Sequence, residues 1–361
     1  MNGSAPRRIK VVALTGGLDE PPARFRVRQH IANLEAAGIT VHECVPAVSR
    51  HAGLPGLPVG FRLAWVPPVY AAWQGVKIAA RLPGIVSSWH GDLTWLERGL
   101  VAGWPTLEPL LKRPVVFDVD DAIWLLSPFG RAAAIATARR ADMVIAGNSY
   151  IADWFRPYAR DIRVIPTAVT LPSRPVRERG GEARPFVLGW IGTSWSSGYL
   201  SSIEDVLARF LVGHDAELLV VADRPPGLQG LPPDRVRFRL WSPAVEGDFF
   251  SQVDVGLMPL VDDDWARGKC ALKMLQFMAA GVPVVVSPVG ANREVLALGK
   301  VGFAAETADG WYEALDALWR DPSLRARLGH DGREVARRHF GLDVIGAQLA
   351  AAFRAVVHDN V

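Results

Sequence analysis

Two lysines and a glutamine are embedded in the largely apolar first part of the stretch RGKCALKMLQFMAAGVPVVVSPVGANRE, running from Arg267 to Glu294. A helix counted from Gly268 sets Lys269, Lys273 and Gln276 at i, i+4 and i+7, one stripe of the roughly 3.6-residue period. Leu272, Leu275 and Ala279 form the neighbouring apolar stripe, which faces a sheet. Gly281 closes the helix, Pro283 blocks its continuation, and VPVVVS is the strand beneath it. The first turn of such a helix offers unpaired N–H groups and the positive end of its dipole, to which Arg267 and Lys269 add formal charge. That combination can hold a diphosphate, and Gln276, two turns further in, can hydrogen-bond a ribose hydroxyl. The loop that follows, with Gly290, Ala291, Asn292 and Glu294, opens another helix and offers more backbone N–H groups. Periodicity equally allows two solvated lysines and a glutamine capping a neighbour.

These residues need a frame, and strand and helix signals alternate along the chain. IKVVAL (Ile9 to Leu14) is a short apolar run ending in Gly16-Gly17, the pattern of a buried parallel strand feeding a glycine turn. VRQHIANLEAAG (Val27 to Gly38) reads as a helix and ITVHECVP as a strand. RPVVFDVDDAIW (Arg113 to Trp124) is a strand ending in carboxylates. A helix, the strand DMVIAG and a second helix capped by Asn148 or Ser149 follow, then the strand IRVIPTAV. Thr170 to Pro185 is rich in proline, glycine and charge and reads as a linker. Beyond it FVLGWIG, AELLVVAD, VRFRLW and VGLMPL are strands with helical segments between them, and helices fill Gly310 to Val357. The expectation is an α/β chain of two Rossmann-like domains facing a cleft, with ligands at the strand carboxyl ends. Its divisions are 1–170, a linker 171–185, 186–340, and a last segment 341–361.

Composition bounds the partners. The chain has 361 residues, half of them hydrophobic, and a formal net charge of +3. That balance is too mild to point to nucleic acid. No apolar run approaches the ~18–20 residues of a membrane span, and the N-terminal residues lack the apolar core of a signal peptide. Cys44 and Cys270 lie far apart, which argues for a reduced, cytoplasmic protein without a zinc site. Gly53 to Gly84 is apolar, aromatic and basic, with no acid. It reads as a helix pair on the sheet, or as a surface for an acyl-chain acceptor or the inner leaflet through snorkelling Arg62, Lys77 and Arg81.

The stretch from Gly268 to Glu294 resembles the nucleotide-sugar signature of family-4 glycosyltransferases of the GT-B fold, especially a bacterial branch reading GKC..K.LQ.MAAG.PVV.SPVG.N.E. FDVDDAIW, ADMVIAGNSYIADWF, VIPTAV and DVGLMPLVDDDWARGKC are similar to the same branch. The resemblance implies retaining, metal-independent transfer of a sugar from a nucleotide-sugar donor to a glycan or polyprenyl-linked acceptor. It implies no cofactor, and polysaccharide biosynthesis in the cytoplasm or on the inner face of the membrane. It also implies a last helix (Leu342 to Val357) packed back on the N-terminal domain. Where many members carry two glutamates eight residues apart, this chain has Gly268 and Gln276. Sugar recognition then moves towards Asp262, Asp263, Asp264 or Trp265. The usual basic residue after the first strand of the C-terminal domain is absent from GWIGTSWSSGYL, which leaves the diphosphate to Thr193, Ser194, Lys269 and Lys273. A catalytically weak nucleotide-sugar-binding scaffold and a nucleotide-sugar epimerase stay open as alternatives.

Asp118 and Asp120 have the spacing of a metal-binding carboxylate pair, but the resemblance points to metal-independent chemistry, with basic groups and a helix dipole meeting the leaving diphosphate. Asp120 and Asp121, at a strand end, are the candidates for touching a sugar or acceptor hydroxyl, against capping or pairing with an arginine. Gly17 lets backbone approach the donor phosphate or the acceptor, or simply makes a turn. Arg24 and Arg26 suit an acceptor bearing phosphate. Among Trp190, Trp195 and Trp241, Trp241 is the expected lining of the base pocket. The histidines show no metal-binding spacing.

Overall fold

The computed structural model describes residues 8–54, 67–172 and 185–359. Most of the expected linker and Arg62 lie outside them. The chain forms two compact units: Met1–Ala168 with Leu342–Val361, and Val169–Gly341.

The N-terminal unit is built on six parallel strands: β1 (Ile9–Leu14), β2 (Ile39–Cys44), β3 (Leu93–Glu97), β4 (Val115–Val119), β5 (Met143–Ala146) and β6 (Ile162–Val164). They lie in the order β2-β1-β3-β4-β5-β6. Helices cover both faces, which is why β3, β4 and β5 are buried along their whole length and why most of these strands read as continuous apolar runs. β3 breaks that rule and is invisible to it. Its Thr94 and Glu97 are polar yet buried, Thr94 because its hydroxyl donates to Lys112 O (2.7 Å). The C-terminal helix Leu342–His358 packs against helix Ile31–Ala36 in this unit's core, with the Phe353 ring 4.9 Å from that of Trp95. Gly346 permits the approach, since a Cβ there would stand 3.1 Å from Asn33 Cβ.

Val27 to Gly38 does not form a single helix. A π turn at Ala23–Val27 passes through a 3-10 turn at Arg28–His30 into the α-helix Ile31–Ala36. Asn148 caps helix Ser149–Phe155 by accepting from Ile151 N (2.8 Å). Lys77 and Arg81 do not snorkel. Lys77 Nζ donates to Arg50 O (2.9 Å), and Arg81 donates to Leu100 O (2.8 Å) and Val48 O (2.6 Å), all within the unit. Both cations donate to backbone carbonyls of loops in their own unit. Among the described residues no helix is long and apolar enough to cross a membrane.

The C-terminal unit repeats the plan with β7 (Phe186–Ile191), β8 (Ala216–Ala222), β9 (Val236–Leu240), β10 (Val255–Met258), β11 (Val284–Val286) and β12 (Gly302–Ala304). From β7 the chain walks outward through β8 to β9, then returns to the other side of β7 for β10, β11 and β12. The strand order therefore reverses between β7 and β10, the position at which open α/β sheets have their ligand crevice, outside the strand carboxyl ends. Helix Leu272–Ala280 covers β10. Gly256 on that strand makes the seat, because a Cβ there would come 2.3 Å from the Phe277 ring. Burying Phe277, Leu275 and Met278 stabilises this docking by roughly 1.5–3 kcal/mol each. Gly281, at φ +77°, ends the helix.

Candidate functional site

The helix carrying Lys273 and Gln276 starts four residues later than periodicity indicates. Asp264–Arg267 forms its own short helix, capped by Asp263 (Ala266 N to Asp263 Oδ1, 2.7 Å). Ala271 then turns through a left-handed φ of +54° before Leu272–Ala280 begins. Lys269 thus lies in the joint between two helices, off the stripe of Lys273 and Gln276. The left-handed turn, rare for a β-carbon residue, has no signature in the sequence. Ala271, at the N-cap of Leu272–Ala280, has no side chain that could accept from the first turn, the end of a helix that suits an anion.

Around this helix the crevice loops of the C-terminal unit converge. Lys269 Nζ lies 5.8 Å from the Tyr199 ring and 5.8 Å from the Trp265 ring, joining the loop after β10 to the helix after β7. Arg267, also on the β10 loop, is paired with Asp262 (2.7 Å) and Asp264 (3.5 Å). Gly290, after β11, lies directly against the Arg267 backbone at φ +52°; a Cβ would stand 2.5 Å from Arg267 O. Only glycine allows that approach. Beside it Ala291 and Asn292 are buried and Glu294 is exposed. Asn292 Nδ2 donates to Ser287 O (3.0 Å), so this side chain holds the loop. On the far side, Gln276 Nε2 donates to Glu246 Oε1 (3.0 Å) and Trp241 Nε1 donates to Glu246 Oε2 (3.0 Å). Trp190 is core, whereas Trp195 is almost fully exposed. Ser194 donates both its N–H (2.5 Å) and its hydroxyl (2.8 Å) to Asp223, and Thr193 N donates to Ser196 Oγ (3.1 Å). A phosphate held by Ser194 has to displace Asp223. Glu246 and Asp223 are absent from the sequence reading, because each acts through a partner distant along the chain.

In the N-terminal unit the strand order reverses between β1 and β3, and a charged network fills that point. Glu97 Oε2 accepts from Gly16 N (3.1 Å) and is paired with Arg50. Gly16 must lack a side chain, since a Cβ would stand 2.0 Å from Arg50 Nε. Gly17 similarly lies against Ser49, and its carbonyl accepts from Arg28 (2.9 Å). Arg98, at φ +56°, binds Asp120 (2.6 Å) and Asp121 (2.5 Å) together. The two carboxylates are thus at a strand end, as read, and paired with an arginine. Arg24 places its guanidinium 4.7 Å above the Phe25 ring. Arg26 is not positioned for an acceptor. It is buried in an ion pair with Asp118 (2.7 Å) and donates to Ile165 O (3.0 Å). Its place on the inner side of the π turn, set by irregular winding, explains the misreading.

Burial pushes the Glu97 carboxyl up from 4.5 to about 7, against the pull of Arg50 and Arg98 and with Asp120 and Glu20 adding to the rise. A folded-state pKa above the unfolded value means the contribution to stability is fully present below about 4.5 and is lost as pH rises through about 7. His30, pushed by burial down to about 3, acts in the opposite sense on the acid side. The expected result therefore concerns a difference. Thermal unfolding of wild type relative to Glu97→Gln declines between pH 5 and 8, with a ceiling of about 3 kcal/mol. Parallel curves for the two proteins across that range contradict it.

Known proteins similar to this chain share its fold and part of its sequence pattern. The family described as "Glycosyl transferases group 1" matches residues 185–321, the bulk of the C-terminal unit. Sucrose-phosphate synthase from Thermosynechococcus elongatus superposes with a TM-score of 0.70 at 18% identity, over 98% of this chain and 100% of that one. Anabaena HepE in complex with UDP and glucose does so with a TM-score of 0.63 at 17% identity, over 96% and 100%. An E. coli trehalose-6-phosphate structure bound with UDP-2-fluoro glucose gives 0.63 at 13% identity, over 96% and 99%. No curated protein sequence matches. The fold is GT-B, two Rossmann-like domains each on a six-stranded parallel sheet. Within its C-terminal half, residues 185–321 are similar to the glycosyl transferases group 1 family.

Proposed function

We propose that the chain is a retaining glycosyltransferase that moves a sugar from a nucleoside-diphosphate sugar to a hydroxyl of a glycan or polyprenyl-linked acceptor, without a metal. The observation that carries this is the convergence of Arg267, Lys269, Gly290 and the first turn of Leu272–Ala280 at the β7/β10 crevice. Fixed positive groups there meet the charge that develops on a departing diphosphate, and they need no reorganisation to do so. UDP is the favoured nucleotide, because HepE and the trehalose-6-phosphate structure are described with UDP or a UDP-sugar. Asp262, Asp264 and Trp265, on the loop after β10, take the sugar in place of the missing glutamate. The acceptor falls to the N-terminal unit, with Arg24, Asp120 and Asp121 at its strand ends. Same-face attack, with the diphosphate assisting deprotonation, accounts for retention. Association with the inner membrane face rests on the exposed Val69, Val76, Leu82, Val86 and Trp89, in place of the cationic anchors.

Product analysis tests the reading. With a UDP-α-sugar, a lipid-linked glycan acceptor and EDTA, the first-formed glycoside is expected to show an α anomeric signal by NMR. A β product contradicts retention. Nucleotide-sugar binding without turnover on any acceptor favours a scaffold, a reading to which Gly268 and the Arg98 clamp on Asp120 and Asp121 lend some weight. Conversion of the free donor without an acceptor favours an epimerase.

A further inference from the structure

Glu246 sits in the first turn of helix Pro243–Phe249, which Ser242 caps by accepting from Val245 N (3.2 Å). It is buried, and each of its oxygens is engaged: Oε2 by the Trp241 indole N–H and Oε1 by the Gln276 amide, both at 3.0 Å. A carboxylate only accepts hydrogen bonds, so the Gln276 amide must turn its NH₂ towards Glu246. Its carbonyl oxygen then faces away, and among the described residues no hydrogen bond reaches that oxygen. The same carboxylate holds the indole N–H of Trp241, a side chain that is 42% exposed. A flat aromatic surface and a lone acceptor therefore lie one carboxyl group apart. Phosphate, which has no donor, gains nothing from such an acceptor. A planar base joined to a hydroxyl-bearing ring matches both features.

We propose that Glu246 is a positioning residue that locks Gln276 as a hydrogen-bond acceptor beside Trp241, making the site selective for ribonucleoside over deoxyribonucleoside diphosphates. The inference rests on the C-terminal crevice being the donor site. Glu246 acts through Gln276 and Trp241 and takes no part in the transfer itself. In Glu246→Gln the new amide still accepts from Trp241 but presents NH₂ to Gln276. Gln276 then turns over, and a donor replaces the acceptor. The reciprocal exchange Glu246→Gln with Gln276→Glu restores an outward-facing oxygen, whereas Gln276→Glu alone sets two carboxylates against each other.

Calorimetric titration with UDP and GDP and with their 2′-deoxy and 3′-deoxy forms tests this, thermal unfolding confirming that each variant is folded. Wild type is expected to favour the parent nucleotide over at least one deoxy form by about tenfold, the worth of one uncharged hydrogen bond. Glu246→Gln is expected to erase that ratio and the exchanged pair to recover it. Equal affinity of wild type for all three forms overturns the proposal, as does a ratio that survives Glu246→Gln or fails to return in a folded double variant. If wild type binds neither UDP nor GDP, the donor-site reading fails first and takes this inference with it.

Discussion

Gly290→Ala is expected to destabilise the C-terminal unit by about 2–4 kcal/mol and to abolish measurable nucleoside-diphosphate binding. At φ +52° and ψ −131° the residue occupies backbone space that β-carbon residues rarely enter. The added methyl would also meet Arg267 O at 2.5 Å and Arg267 Cα at 2.9 Å, both backbone atoms that no rotamer change can move. Relief comes only by driving the loop after β11 from the loop after β10, the two that bring Gly290 and Arg267 together. Gly227→Ala, where a Cβ meets nothing within 4 Å, is the control and is expected to leave both properties unchanged. Thermal unfolding with calorimetry decides it. Near-wild-type binding by Gly290→Ala would show that the loop junction is not part of the donor site.

Arg26→Ala is expected to cost about 3–5 kcal/mol of stability in the N-terminal unit, because it strands Asp118 as an unpaired buried charge. Asp118 Oδ1 accepts from Arg26 Nη2 (2.7 Å), and its Oδ2 accepts from Trp95 Nε1 (3.1 Å) in the core. Arg24→Ala, on the exposed side of the same turn, is expected to change stability little and acceptor KM more. The contrast separates a structural arginine from a substrate-facing one two positions away. Equal stability of the two variants contradicts the burial argument, and pairing Arg26→Met with Asp118→Leu is expected to recover part of the loss.

The alternation of strands and helices was readable because parallel strands buried on both faces are spelled as largely apolar runs: β7 and β11 are wholly apolar, and β1, β4 and β8 are each interrupted by one charged residue. β3 was not, since Thr94 and Glu97 owe their burial to hydrogen bonds from other segments. The cap at Asn148 and the stop at Gly281 are local signals and could be read directly. The breaks at Ala271 and at Ala23–Val27 are backbone decisions imposed by packing, and they displaced Lys269 and Arg26 from their expected faces. At the site, the charged types and the glycine at 290 were legible. Which end of the Gln276 amide faces outward was not, for it depends on Glu246, thirty residues away in the chain.

The most direct measurement is a calorimetric panel of UDP-, GDP-, dTDP- and CMP-sugars in the presence of EDTA, on wild type and Lys273→Ala. The account predicts selective binding of one ribonucleoside-diphosphate sugar, insensitive to EDTA and weakened by Lys273→Ala by about 10- to 100-fold, the worth of one charged hydrogen bond. Absence of binding across the panel, or affinity untouched by the loss of Lys273, contradicts a diphosphate site at the head of helix Leu272–Ala280.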